Sequence, residues 1–411
     1  MRNYAQFIRD NRRLLAFGMF MTFFSSFGQT FLISLFAPSF DADLGLSAAA
    51  FGGLYSLATL CSAGALPVVG RFIDDIPVRR YALGVACGLG IGCLFMSAIQ
   101  SAWQLFACLL LLRLTGQGLC GHTASTTMAR SFSVNRGKAL SVSSTGFAIG
   151  EGALPAIVVT LIAAVGWRTV WTIQTACVGL ILVPAILGLL HHSDGDAPPR
   201  EPKANDASDA AEKEWTRGHV LRDPRFYLLL PSILVLPIAV TGLIIHQASL
   251  AEFKGWTLET MAFGFVGFAI ARILSSLAIG PAIDRYGAAR LFPFLTLPMA
   301  VGMAVLLISD HVIAAGVYLA LTGLCLGMKG SATSSLWAEL YGVRHLGAIK
   351  SLGGSLAVFG TSLSPASFGW LLDRGVGFPA LLLGNIALIG VGCVLSWAVC
   401  RKTARAHQEP S

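Results

Sequence analysis

The chain has 411 residues, of which 55% are hydrophobic and only 12% charged, with a mean hydropathy of +0.70 and a formal net charge of +8. A soluble domain carries about 25% charged residues, so an ordinary water-exposed globule is excluded. Crossing a bilayer takes roughly 20 apolar residues, and stretches of that length recur along nearly the whole sequence.

The first stretch, residues 14–36, is longer than the ~7–15-residue core of a secretory signal and has no good cleavage site behind it, so it is expected to stay as a spanning helix. Further spans are predicted over 47–69, 81–99, 103–129, 139–165 and 169–190. A long polar stretch follows at 191–222, rich in Pro, Ala and mixed charge, and reads as a cytoplasmic linker. Six more spans are predicted over 226–247, 258–279, 291–309, 312–338, 351–371 and 379–400. The expected fold is an all-α membrane protein of twelve transmembrane helices in two pseudo-symmetric six-helix bundles, 1–190 and 226–411, joined by a linker at 191–225.

Of the 29 Lys and Arg, all but six fall at the two termini, in the linker or in the even-numbered loops. Arg168, Lys254 and Arg374 lie on the opposite side, and Arg113, Arg272 and Lys329 lie inside predicted spans. Cationic loops resist translocation, so both termini and the linker are expected in the cytoplasm of a bacterial inner membrane. This distribution also accounts for the basic charge without nucleic acid. The nine cysteines sit in apolar segments with no C-x-x-C pair, so they read as packing residues; no metal and no cofactor is implied.

The two halves repeat one plan. GRFIDD begins at Gly70 and GPAIDR at Gly280, a shift of 210 residues, and the same shift separates GEGALP at Gly150 from GTSLSP at Gly360, and Gly137 from Gly347. VGW at Val165 and VGF at Val376 are 211 apart. Each match lies beside the same span of its half, which indicates duplication of a six-helix unit.

With these residues in view the chain resembles the major facilitator superfamily. GPAIDRYGAAR from Gly280 resembles that family's signature loop, and RLTGQG from Arg113 its fourth-span motif. NRGKA from Asn135, and Gly166-Trp167-Arg168, match further habits of the family. The resemblance implies a cytoplasmic gate at Gly70, Asp74 and Arg80 and at Gly280, Asp284, Arg285 and Arg290. There the glycines permit a tight turn beside a neighbouring helix, an acid accepts from a helix N-terminus, and the arginines (Arg79 among them) hold that acid. In the first copy Asp75 and Pro77 replace the usual Arg and Gly. Gly146, Gly150, Gly152 and Pro155, with Pro365 at the matching place, resemble a degenerate glycine–proline motif of drug/proton antiporters, which implies a hinge. Gly84, Gly88 and Gly92 share one helix face and predict close helix contact.

Four ionisable residues fall deep inside predicted spans: Arg113, Glu151, Arg272 and Lys329. Each costs about 2.5–3.5 kcal/mol or more at a helix centre, so each is expected to face protein or a wet cavity. Three cations against one acid leave a positive surplus, which favours a small organic anion held by Arg in bidentate fashion. Arg272, Lys329, Arg113, Gln29 and Gln117 are the expected substrate ligands, and Glu151 the expected proton-coupling group. Other readings stay open: Arg113 paired permanently with Glu151, or Lys329 held by carbonyls at a helix contact. Ala271-Arg272 resembles the monocarboxylate-transporter and oxalate–formate-exchanger branch, where an arginine of that helix binds the substrate carboxylate.

The function expected is secondary transport of a small organic anion, a mono- or dicarboxylate, coupled to protons, by a monomer in the lipid bilayer. No G-x-x-x-x-G-K-[ST] loop is present to bind ATP. Drug or metabolite efflux is the alternative. A membrane sensor would need a soluble module larger than the linker, and no constellation of catalytic side chains points to an enzyme.

Overall fold

A computed structural model describes residues 2–132, 135–190, 215–342 and 346–406. The expected linker therefore lies outside the described residues up to position 214. Every regular element among those described is helical. Ten helices are long and apolar enough to cross a membrane, and the bent pair Arg12–Gly28 and Thr30–Leu44 makes an eleventh candidate. A 28-residue helix, Leu346–Asp373, occupies the place predicted for the eleventh span.

In chain order the spans are the bent first, Ala48–Ile73, Val78–Met96, Ala102–Ser131, Gly137–Val165 and Trp167–Leu189. After them come Pro224–Ile245, Leu258–Tyr286, Ala288–Ile308, Ile313–Tyr341, the helix Leu346–Asp373, and Phe378–Arg401. The chain divides into two compact units, Met1–Asp206 and Ala207–Ser411.

Within the first unit the first span packs on the fifth, the second on the fourth, and the third on the sixth. Within the second unit the seventh packs on the eleventh, the eighth on the tenth, and the ninth on the twelfth, the same pairings one repeat later. Two seams show what brings backbones this close. In the first unit, a side chain at Gly146 would strike Thr22 and the Met19 carbonyl of the first span, and one at Gly150 would strike Ser26. In the second, a side chain at Gly323 would strike the Phe268 carbonyl of the eighth span, and one at Gly327 the Arg272 carbonyl. Without hydrophobic drive between helices in lipid, such contact between small residues is what holds spans together. Of the third-span glycines, Gly88 and Gly92 face Thr115 and Leu112 of the fourth span, whereas Gly84 has open space around it.

The ends of the spans opposite the signature loops are tied by side chains. In the first unit the chain turns at Gly166 (φ +79°). Trp167 Nε1 then donates to Asp43 at 3.1 Å, and Arg168 donates to Asp43 and to the carbonyls of Ser97 and Ile99 at 2.8–3.3 Å. In the second unit Lys254 donates to Asp310 at 2.6 Å and to the Ser309 carbonyl at 3.3 Å, and Trp256 Nε1 donates to the Asp310 carbonyl at 2.6 Å.

Candidate functional site

In the first unit the predicted continuous first span is broken. Its helix ends at Gly28, Gln29 turns to extended backbone (ψ 152°), and a second segment starts at Thr30 with a 44° bend. The break faces a π-helical stretch of the fourth span, Arg113–Cys120. Gly28 and Gly116 lie so close there that a side chain at 28 would collide with the Leu112 carbonyl and one at 116 with the Gly28 backbone. Past the break Leu32 N–H bonds the Gln29 carbonyl rather than that of Gly28. Arg113 Nη1 donates to the Gly28 carbonyl instead, at 3.1 Å.

Arg113 is 2% exposed. Its Nε donates to Thr59 Oγ1 at 3.1 Å, and its guanidinium lies 4.9 Å from the centre of the Tyr55 ring. Arg113 thus has Thr59, Gly28 and Tyr55 as partners within its own unit. A broken helix leaves carbonyls that a buried donor must satisfy. Gln29 is half-buried and donates to Ser25 Oγ at 3.1 Å, while Gln117 is exposed on the π-helical stretch. Glu151 is half-buried on the fifth span, one residue beyond Gly150.

In the second unit Arg272 is half-buried on the eighth span, which Gly323 and Gly327 press against the tenth. Lys329 stands two residues past Gly327, hence about 200° around the helix. It turns away from the eighth span, donates to the Ser232 carbonyl of the seventh, and lies 4.9 Å from the centre of the Phe292 ring. At 8% exposure it sits at a helix contact satisfied by a carbonyl, on the face of the tenth span away from the one that Gly327 presents to the eighth. His246, where the seventh span ends, is 3% exposed and shares a 2.9 Å hydrogen bond with the Pro365 carbonyl of the eleventh helix. Pro155 and Pro365 are both buried within continuous helices.

The two signature loops are fastened by residues the motif does not contain. Asp74 pairs with Arg130 at the end of the fourth span, and Arg130 also donates to the Ile73 carbonyl at 3.0 Å. The expected partners lie elsewhere: Arg79 donates to the Leu187 carbonyl at 3.2 Å, and Arg80 is exposed. The Gly70 carbonyl lies 3.1 Å from His122 Nε2. In the second copy the helix runs through Gly280 and Asp284 to Tyr286, and the turn falls at Gly287 (φ +80°), not at Gly280. Asp284, Arg285 and Arg290 are exposed, and the Arg285 guanidinium stacks over Tyr286 at 5.2 Å. The acid that accepts from a helix N-terminus is Glu339 at the end of the tenth span, which takes the Ala288 and Ala289 N–H groups at 2.6 and 2.8 Å. Glu339 and Arg130 were legible only as span-end charges, because neither is near its loop in sequence.

The Major Facilitator Superfamily profile matches residues 18–267 and 236–411. No curated protein matches this sequence. Among solved structures, the nucleoside transporter NupG is similar at 13% identity with a TM-score of 0.71, covering 95% of this chain and 98% of that one. A bacterial homolog of the human lysosomal transporter Spinster, inward-facing and unoccupied, is similar at 14% identity with a TM-score of 0.69, covering 98% and 99%. Identities this low show a shared fold only. The profile spans almost the whole chain, and the chain therefore belongs to the Major Facilitator Superfamily: it is a multi-pass membrane protein and a secondary transporter of a small molecule, not an enzyme.

Proposed function

We propose that this transporter moves a small organic anion, a mono- or dicarboxylate, by alternating access across a bacterial inner membrane, coupled to protons. What supports this reading is Arg272. It is a guanidinium in the middle of an apolar span, only half-buried, on a helix locked in place by Gly323 and Gly327. Its planar fork matches a carboxylate, as in the monocarboxylate and oxalate–formate branch that the eighth span resembles. Gln29 and Gln117 add neutral donors, and Glu151 is the acid that takes and releases the coupled proton. The signature loops act as the cytoplasmic gate, with Pro155 and Pro365 as hinges, and both termini lie in the cytoplasm.

The test is uptake of radiolabelled C2–C6 carboxylates into proteoliposomes under a proton gradient. Loss of one partner of a desolvated charged hydrogen bond costs about 2–5 kcal/mol, or roughly 30- to several-thousand-fold. Arg272→Ala is expected to abolish uptake and Arg272→Lys to impair it strongly, with protein still in the membrane. Glu151→Gln is expected to lose accumulation while keeping exchange. Wild-type transport by Arg272→Lys refutes the anion site.

Efflux of a drug or metabolite is the second reading, and one observation favours it. Arg113 and Lys329, two of the three cations deep in the spans, already bond carbonyls inside their own units, which weakens the case from positive surplus. Of the two solved relatives in fold, one is named a nucleoside transporter and the other is named for no cargo, so the fold does not choose between the readings.

A further inference from the structure

The broken first span is held on both sides of its break by one pair of side chains. Tyr55 and Thr59 stand one turn apart on the second span, so both face the fourth-span Arg113. Arg113 reaches the last residue of the first segment, through the Gly28 carbonyl. Tyr55, 0% exposed, reaches the first residue of the next segment, with its hydroxyl 2.6 Å from Thr30 Oγ1. The Tyr55 ring meanwhile lies against the Arg113 guanidinium at 4.9 Å. Three spans thus converge on Gln29, and the ring links the grip on one segment to the grip on the other.

We infer that Tyr55, through its ring on Arg113 and its hydroxyl on Thr30, is a positioning residue that sets the angle between the two segments of the first span. A backbone break in the membrane is tolerated only where neighbouring groups satisfy what the helix no longer does. Arg113 satisfies the carbonyl, but its bond to Gly28 does not reach the Thr30 segment, whose far end is tied at Asp43 to Trp167 and Arg168. The tight Gly28–Gly116 contact fixes the first segment against the fourth span in the same way, and again stops short of Thr30. The Tyr55–Thr30 hydroxyl contact holds the second segment at the break itself, next to Gln29. Its weight is that of one part-buried hydroxyl pair, enough to bias an angle and small enough to be released during a transport cycle. This role holds whatever the cargo.

Hydrogen–deuterium exchange of the full chain in lipid nanodiscs, with no cargo added, reads the break directly. The Leu32 and Ile33 N–H groups both bond the Gln29 carbonyl and report its opening. Tyr55→Phe keeps the ring and loses the hydroxyl, and is expected to raise exchange over residues 29–33 about tenfold. Thr30→Val is expected to do the same from the other side, whereas Thr30→Ser, which keeps a hydroxyl, is expected to exchange like wild type. Peptides from the second unit are expected to be unchanged in all three. Wild-type exchange over 29–33 in both Tyr55→Phe and Thr30→Val overturns the inference. So does Thr30→Ser behaving like Thr30→Val, or a rise spread evenly over the first unit. Because uptake is not measured, this outcome is separate from the fate of the anion-site reading.

Discussion

One methyl group placed at Gly327 tests whether the packing of the eighth span on the tenth holds Arg272 in position. A Cβ there would collide with the Arg272 carbonyl oxygen and with Ser275 Oγ, and would lie 3.1 Å from the Arg272 carbonyl carbon. The hydroxyl can turn aside, although it already donates to the Arg272 carbonyl at 3.1 Å. A carbonyl inside a helix cannot turn, so the two spans must part locally. Overpacking of this kind costs about 1–3 kcal/mol. At about 2–4 °C per kcal/mol for a unit of this size, the apparent melting midpoint of Gly327→Ala is expected to fall by roughly 2–12 °C. A shift of roughly 1 Å at a binding group can cost on the order of 10²-fold in turnover, so uptake is expected to fall further than stability alone explains. Gly384→Ala is the control, since that exposed glycine has open space around it and Ala is the better helix former. Heating each variant in detergent, followed by size-exclusion chromatography, gives the midpoints. A Gly327→Ala midpoint equal to that of wild type would refute the close-packed seam and with it the rigid placement of Arg272.

Three further outcomes are expected. Glu339→Ala removes both acceptors from the N-terminus of the ninth span and is expected to cost about 2 kcal/mol, with Glu339→Gln costing about half that; amide exchange over residues 287–291 reads it directly. Lys329→Met replaces an ammonium that has a carbonyl and a ring face for company with an apolar chain of similar volume, and is expected to keep or raise the melting midpoint and to retain uptake. Lost uptake at full stability would return Lys329 to the cargo site. Asp43→Ala strips partners from both Trp167 and Arg168, but the Arg168–Asp43 pair is 40% exposed on each side, so a loss of only about 1 kcal/mol is expected in the same melting assay.

Hydropathy and the 210-residue repeat made most of the architecture readable, because a spanning helix needs only length and apolar content. Hydropathy is blind to a break. Residues 14–36 read as one helix, whereas the structure interrupts the chain at Gln29 and carries the second segment on to Leu44. The interruption depends on Gly116 and Arg113, more than 80 residues away, which no local pattern contains. Composition likewise located the buried cations but not their directions. Helical periodicity alone separates Gly327 from Lys329 by about 200°; which face meets the eighth span depended on Phe268 and Arg272. The signature motif marked two loops, but Arg130 and Glu339 fasten them from distant span ends.

The tied helix ends differ between the halves. One copy of the ancestral unit fastens them through Trp167 and Arg168, at the corner before its sixth span; the other does so through Lys254 and Trp256, at the corner after its seventh. The two knots use different corners and different residues, yet each binds neighbouring helix ends of its own half. Fastening therefore recurs in both halves through different side chains. The halves are no longer interchangeable parts. A chimera made of two first halves would have to bring the Trp167–Arg168 corner with it intact, and an ancestor reconstructed by aligning letters between the halves would inherit neither knot whole.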